Sequence, residues 1–514
     1  MFGVFAVLLA LHWPLLRLPY FWDEAGYYIP AAWDIYASGL LIPHSTLPTG
    51  HTPLVMVYLA LAWKLFGFSP PVTRLAILLI AAACVTALYA LGKRVAGREA
   101  GAWSALLLSL CPLFFAQSSL AHLDLAAGLF TTLAVLALVR GRGWFFALNA
   151  SLAVLSKETA VVLLPVAWVF ALRQGGARPR DSVGKGGVSP RMWIPMFVPL
   201  LPLAAWGLYY HHATGFWTGN SEYLQYNLFS TFHPARMALT LLRRLYEVFL
   251  GGFNWLLLAG ALAGAGWSRK NLPAGKSQSP GTGLPQPAQD FLALAFGLAA
   301  VYVLMLSLVG GAILPRYLLP IFPVMILAAV VLISQLPRKA GRALCVVTAG
   351  CFVGAWFINP PYPFPFEDNL AYADFIRLHQ RGAQFLEQQP PEARILTAWP
   401  ASDELANPML GYVRRPLRVV PVAGFAAKDF QDVRPESFDL FYLYARKWEP
   451  RDNWLKRWPR LERFQERYFD YRPQVSEANL VARFHLKLLE EIQERGQWIR
   501  IYAAPSYAGR LNPP

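Results

Sequence analysis

With 514 residues, 56% of them hydrophobic and only 15% charged, the chain carries too little charge for a soluble globular protein, in which about a quarter of residues are charged. Residues 1–358 hold 10 acidic and 24 basic residues, whereas 359–514 hold 20 and 22, so a basic, mostly apolar part precedes a nearly neutral, water-soluble one. A wholly soluble enzyme is excluded, and the net charge of +16 is no nucleic-acid signal, because most of the excess lies in short loops between apolar segments, where it reports membrane orientation.

Apolar stretches suited to crossing about 30 Å of hydrocarbon run from 1 to 18, 72 to 92, 100 to 118, 122 to 139, 191 to 211, 245 to 267, 290 to 312, 316 to 336 and 341 to 358. Two shorter ones, 143 to 156 and 159 to 172, bring the predicted spans to eleven. The first run lacks a basic flank and an Ala-x-Ala site, so it reads as a retained span. The segment 53–67 is short and contains Lys64. Laid along the membrane surface, it puts Lys93, Arg94, Arg98, Arg140, Arg142, the basic loop 173–191, Arg269, Lys270, Arg338, Lys339 and Arg342 on one side, the cytoplasm by the positive-inside rule. As a span it breaks that agreement. Eleven spans then place the C-terminal part outside, in a multi-pass protein of the cell inner (plasma) membrane.

The loop 268–289 is rich in Pro, Gly and Ser and reads as a flexible cytoplasmic linker. All four cysteines (Cys84, Cys111, Cys345, Cys351) fall in apolar runs, with no metal-type Cys-x-x-Cys pair. From about residue 369 the pattern changes: LAYADFIRLHQRGAQFLEQQ has helical periodicity, and RILTAW and SFDLFYLYAR read as strands. The predicted organisation is a multi-span α-helical membrane domain over 1–358, with an outer loop over 19–71, followed by a soluble extracytoplasmic α/β domain over 359–514. Trp448, Trp454, Trp458, Tyr468 and Tyr471 could bind carbohydrate, but a surface domain resting on the membrane part is the plainer reading.

On the outer side this topology gathers Asp23, Glu24, His51, His122, Asp124, Lys157 and Arg316. An ionisable residue at membrane depth is costly and marks a functional site by default. Each has a bland alternative. Asp23 and Glu24 could cap the helix that begins at AGYYIPAAW, and Asp124 could cap its own helix. Lys157 could snorkel and pair with Glu158; Arg316 could be an interfacial anchor beside Tyr317. Capping does not explain why several carboxylates gather on one face, and phosphate binding needs cations of the kind Lys157 and Arg316 supply.

In this order, FWDEAGYY, GHTPL, AHLDL, LSKETA and LPRYLLPIFP resemble the integral-membrane glycosyltransferases of the C-type fold, specifically the protein O-mannosyltransferases and the lipid A aminoarabinose transferase. The resemblance covers nearly all of residues 1–340. Thr52 stands where the family usually has proline, His122 lies near the place of an absent Arg, and Gly26-Tyr27 replaces an Arg-Tyr; these departures bear on the sugar and the acceptor more than on the reaction. The resemblance implies inverting transfer of a sugar from a polyprenyl-phosphate donor to an acceptor lipid, glycan or protein on the outer face of the bilayer, with no nucleic acid involved. Asp23 is the implied base, with Glu24 orienting the acceptor or supporting Asp23. Lys157 and Arg316 stabilise the leaving phosphate, with His51, His122, Asp124 and Tyr317 completing the binding set. A divalent metal held by Asp23, His51 or Asp124 is left open, since the spacing matches no specific metal motif. A transporter or flippase of lipid-linked sugar would use the same charges for binding alone; the inverted repeats common in transporters are not evident.

Overall fold

The computed structural model describes residues 1–176, 193–271, 284–448, 457–469, 473–505 and 507. The first 358 residues form a helical bundle. Its axis is the helix Pro70–Ala96, started by Ser69, whose side chain accepts from the Val72 amide, and by proline in the first turn; it ends with Lys93 and Arg94 in the last turn before Gly97 in the left-handed region, as helix termini and dipoles favour. Arg98–Leu110 turns back against it, closely enough that a Cβ on Gly92 would lie 2.7 Å from the Gly101 Cα, the small-residue contact typical of membrane helices. Phe322–Ile333, almost wholly buried, packs against both.

Among the described residues two helices, Pro70–Ala96 and Gln286–Leu308, are long and apolar enough to cross a membrane, and the pair Pro234–Phe249 and Gly251–Lys270, bent by 40°, makes a third if it is counted as one span. Other apolar helices, including Phe2–Leu15, Asp124–Val139 and Gly143–Ser156, are shorter. The expected runs are broken at identifiable places. The run 100–118 splits at Cys111, which is extended because Pro112 follows. The run 245–267 is bent: Pro234–Phe249 is amphipathic, and Gly252 and Phe253, both at positive φ, separate it from Asn254–Lys270. Segment 53–67 is a helix, Leu54–Phe66. Most of the expected linker, 272–283, and most of the basic loop, 177–192, lie outside the described residues. Glu99 binds Arg342 at 2.6 Å and Arg338 at 3.1 Å, which puts the basic loops 93–99 and 338–342 at one end of the bundle. Asp124–Val139, about 24 Å long at 1.5 Å per residue, carries Asp124 at one end and reaches Arg140 at the other.

The C-terminal part is the expected α/β domain. Five strands, β1 (Arg394–Ala398), β2 (Arg418–Val422), β3 (Leu440–Tyr444), β4 (Lys487–Glu494) and β5 (Gln497–Ala503), lie in the order β2-β1-β3-β5-β4. β1 is parallel to β2 and β3, while β5 is antiparallel to β3 and β4. β3 is buried along its whole length, as a central strand with both faces covered should be. Helix Ala371–Glu387, whose buried residues include Phe375, Ile376 and His379, packs on the sheet.

Candidate active site

After Tyr20 the chain enters a turn in which Trp22 holds φ +45, a left-handed conformation that costs a non-glycine residue about 1–3 kcal/mol and persists only where its surroundings enforce it. A single π-helical turn, Glu24–Tyr28, follows, a feature frequent at functional sites. The surroundings come from the C-terminal domain: the Trp22 ring packs on Phe375 (5.6 Å) and Trp399 (5.4 Å), Leu410 accepts from the Tyr20 amide at 3.2 Å, and the Tyr412 hydroxyl donates to the Tyr20 carbonyl at 3.0 Å. This domain therefore does more than rest on the bundle. A Cβ on Gly26 would lie 2.6 Å from Trp399 Nε1. Gly26→Ala should thus push Trp399 out and lower stability by about 1–3 kcal/mol, read as a lower melting temperature in detergent; an unchanged value would show that the contact is slack.

Glu24 is placed away from the chemistry expected of it. Fully buried, it receives the Arg74 guanidinium and the Ala121 amide (2.5 Å) on Oε1 and the Phe21 amide (2.8 Å) on Oε2. Arg74 also donates to the carbonyls of Ser119 (2.6 Å) and Pro19 (2.8 Å). With both oxygens committed to these contacts, Glu24 ties the loop that carries Asp23 to the Ser119–Ala121 turn. Sequence reasoning missed Arg74, although a charge two residues inside an apolar run was the signal that could have found it.

Asp23 makes no side-chain cap. Its carboxylate pairs with Arg316, which is no surface anchor but wholly buried. The same guanidinium reaches Glu367 Oε2 at 2.6 Å and His122 Nε2 at 3.2 Å, and its Nε lies 3.7 Å from Asp124 Oδ2. His122 Nδ1 is 2.7 Å from Gln117 Oε1, and Gln117 Nε2 donates to the Glu367 carbonyl at 3.2 Å. Asp124 makes no cap hydrogen bond either; Lys157 Nζ donates to its Oδ1 at 2.5 Å. Lys157 therefore pairs with Asp124 rather than with Glu158, and it sits 3.9 Å above the Tyr317 ring, which also carries Arg316 at 5.4 Å and Arg244 at 5.9 Å.

His51 lies at the edge of this cluster. Its Nδ1 faces Glu158 at 3.1 Å, and its ring is 6.2 Å from Tyr28, which in turn packs edge-on to His122 at 5.9 Å. Of the expected residues, then, Asp23, His122, Asp124, Lys157, Arg316 and Tyr317 converge, with His51 beside them and Glu24 behind them. Glu367 was missed, because it is one of 20 acids in residues 359–514 and nothing in the local sequence sets it apart.

Three buried polar atoms of the cluster, Asp124 Oδ2, Arg316 Nε and Glu367 Oε1, have no hydrogen-bond partner among the described residues, an exception among buried polar groups that calls for an explanation. Arg316 and Glu367 line a cavity of about 810 Å³ between bundle and C-terminal domain, whose wall also includes Trp22, Arg243, Arg446 and Lys447. Among the described residues no three His, Cys, Asp or Glu side chains group as a metal site. His51 is engaged by Glu158, and the Arg316 guanidinium stands between Asp23 and Asp124. As for the domain's aromatic residues, Trp448 packs on Phe364 and Tyr468 on His233; Trp458 is exposed, and Trp454 and Tyr471 lie outside the described residues.

Residues 50–206 match the family model described as dolichyl-phosphate-mannose-protein mannosyltransferase, a stretch that contains His51, His122, Asp124 and Lys157. Among solved structures the chain is similar to ArnT from Cupriavidus metallidurans bound to undecaprenyl phosphate, with a TM-score of 0.55, 15% identity and 97% of each chain covered. The same protein in the apo state gives 0.54, again at 15% identity and 97% coverage of both chains. The archaeal oligosaccharyltransferase AglB from Archaeoglobus fulgidus, in complex with an inhibitory peptide and a dolichol-phosphate, aligns more loosely: TM-score 0.44, 11% identity, 86% of this chain and 69% of that one. No curated protein matches. The resemblance drawn from the motifs therefore holds: the chain has the C-type glycosyltransferase fold and is similar to the protein O-mannosyltransferase and aminoarabinose transferase group.

Proposed function

We propose that the chain is an inverting glycosyltransferase that moves a sugar from a polyprenyl-phosphate donor to a hydroxyl of a lipid, glycan or protein on the outer face of the membrane. The observation that carries this reading is the buried cluster in which Asp23 and Arg316 face one another beside the 810 Å³ cavity. In the reaction the acceptor oxygen bonds to the anomeric carbon and its proton passes to Asp23, while the bond from that carbon to the phosphate oxygen breaks and the electron pair leaves with the phosphate. Arg316 and Lys157, preorganised in a water-poor setting, offset the charge that grows there. Tyr317 holds both cations and His122 orients Arg316.

ArnT, whose fold this chain shares, was solved with undecaprenyl phosphate, which supports a prenyl-phosphate ligand here. An apolar cleft of about 200 Å³ lined by Phe249, Leu257, Leu258, Phe296, Phe322 and Met325 suits a prenyl chain. We place the site outside because it lies at the end of Asp124–Val139 away from Arg140, while Lys93, Arg94, Arg338 and Arg342 share one end of the bundle. Eleven spans, a membrane domain over 1–358 and an extracytoplasmic domain over 359–514 are the topology that goes with this reading.

The test is sugar transfer by purified protein in detergent from a panel of radiolabelled polyprenyl-phosphate sugars to lipid, glycan and peptide acceptors. Release of polyprenyl phosphate together with labelled acceptor is expected. If no donor is consumed, yet lipid-linked sugar crosses liposomes that contain the protein, the chain is a flippase instead.

A further inference from the structure

Glu367 stands on the C-terminal side of the cavity and is not part of the motifs that carry the family resemblance. It is 3% exposed, and it is fixed from two sides: Gln117 holds its carbonyl, and the neighbouring Phe366 ring packs 5.3 Å from Phe375 on helix Ala371–Glu387. Its Oε2 takes the Arg316 guanidinium at 2.6 Å while Oε1 has no hydrogen-bond partner among the described residues. Asp23, Asp124 and Glu367 therefore face Arg316 and Lys157, three carboxylates against two cations, and Lys157 is already committed to Asp124. A phosphate brought to Arg316 adds negative charge to a cluster already in excess by one, unless one carboxylate gives way.

We propose that Glu367 is a positioning residue of the transfer site, a carboxylate supplied by the C-terminal domain that competes with the donor phosphate for Arg316 and yields the guanidinium when the donor binds. The inference rests on the proposed transfer reaction for its purpose, but not for its test. Glu367 is the carboxylate able to yield, because burial, with Asp23 and Asp124 nearby and Arg316 opposing, raises it to about 7. The other groups that face it are His122, at 3.9 Å, and Asp368 beside it, with Arg243, Arg446, Lys447 and Glu462 on the cavity wall.

The probe is undecaprenyl phosphate, titrated in detergent against the full-length protein across about pH 6 to 8. Relative to Glu367→Gln, wild type should lose about tenfold in affinity as the pH rises through this window, the equivalent of one charge-assisted contact; the variant removes the ligand's own titration from the comparison. Glu367→Gln should bind about tenfold more tightly than wild type at the alkaline end. Weaker binding by the variant at every pH, or parallel pH profiles, would overturn the proposal, because a merely structural carboxylate gives that result. If Glu367→Gln fails to fold, Glu367→Asp, which keeps the charge but falls short of Arg316, should bind more tightly than wild type at the alkaline end; binding no tighter than wild type counts against the proposal. Binding is read without turnover, so a protein that transfers no sugar but shows this competition would sink the glycosyltransferase reading alone.

Discussion

Replacing Arg74 by methionine is expected to destabilise the protein by about 3–5 kcal/mol, the cost of leaving a buried charge without its partner. The Glu24 carboxylate would keep only the amides of Phe21 and Ala121, and the carbonyls of Pro19 and Ser119 would lose their donor at the same stroke. These contacts tie the turn that delivers Asp23, through Pro19 and Phe21, to the Ser119–Ala121 turn, so activity should fall with stability. Thermal unfolding in detergent, followed by the fluorescence of Trp22 and the other tryptophans, reads the effect. Glu24→Leu combined with Arg74→Met should recover part of it, since an apolar pair of similar volume leaves no naked charge. A change under about 1 kcal/mol in the single variant would show the pair to be hydrated and unimportant.

Arg74 and Glu24 also show what a one-dimensional reading can and cannot reach. Apolar runs interrupted by charge gave the bundle, the short strand-like runs RILTAW and SFDLFYLYAR gave β1 and β3, and the order of five short motifs gave the fold family. Those signals are local: each depends on a few neighbours in sequence. Strands β4 and β5 were not anticipated, because LLEEIQE and QWIRIY carry charges on their exposed faces, where they form a partly exposed hairpin beside β3. Which carboxylate meets which cation is a matter of contacts across 33 to 293 residues of chain, and no spacing rule distinguishes Asp23, which faces Arg316, from its neighbour Glu24, which faces Arg74. The same limit concealed the share of the C-terminal domain. Phe375, Trp399 and Glu367 look like ordinary domain residues until folding sets them against Trp22, Gly26 and Arg316.

Asp23→Asn is the substitution from which we expect the largest loss of transfer, about 10²–10⁴-fold in kcat, the usual contribution of a positioned general base. Asparagine keeps the size of the side chain and an oxygen for Arg316 but cannot accept the acceptor's proton. Arg316 also keeps Glu367 and Asp124 as partners, so the fold should hold and the affinity for donor phosphate should be undiminished. A fall in kcat with an unchanged KM for donor identifies an interaction made only in the transition state. The control is Glu24→Gln, which should lower the melting temperature instead, because Glu24 is bound on both oxygens by Arg74 and two amides. Should Asp23→Asn retain a tenth or more of wild-type transfer, Asp23 is not the base, and the proton must pass to one of the two other carboxylates facing Arg316. Asp124 is held by Lys157 and depends on that cation's release, whereas Glu367 opens on the cavity, so the pH profile of the residual activity would separate them.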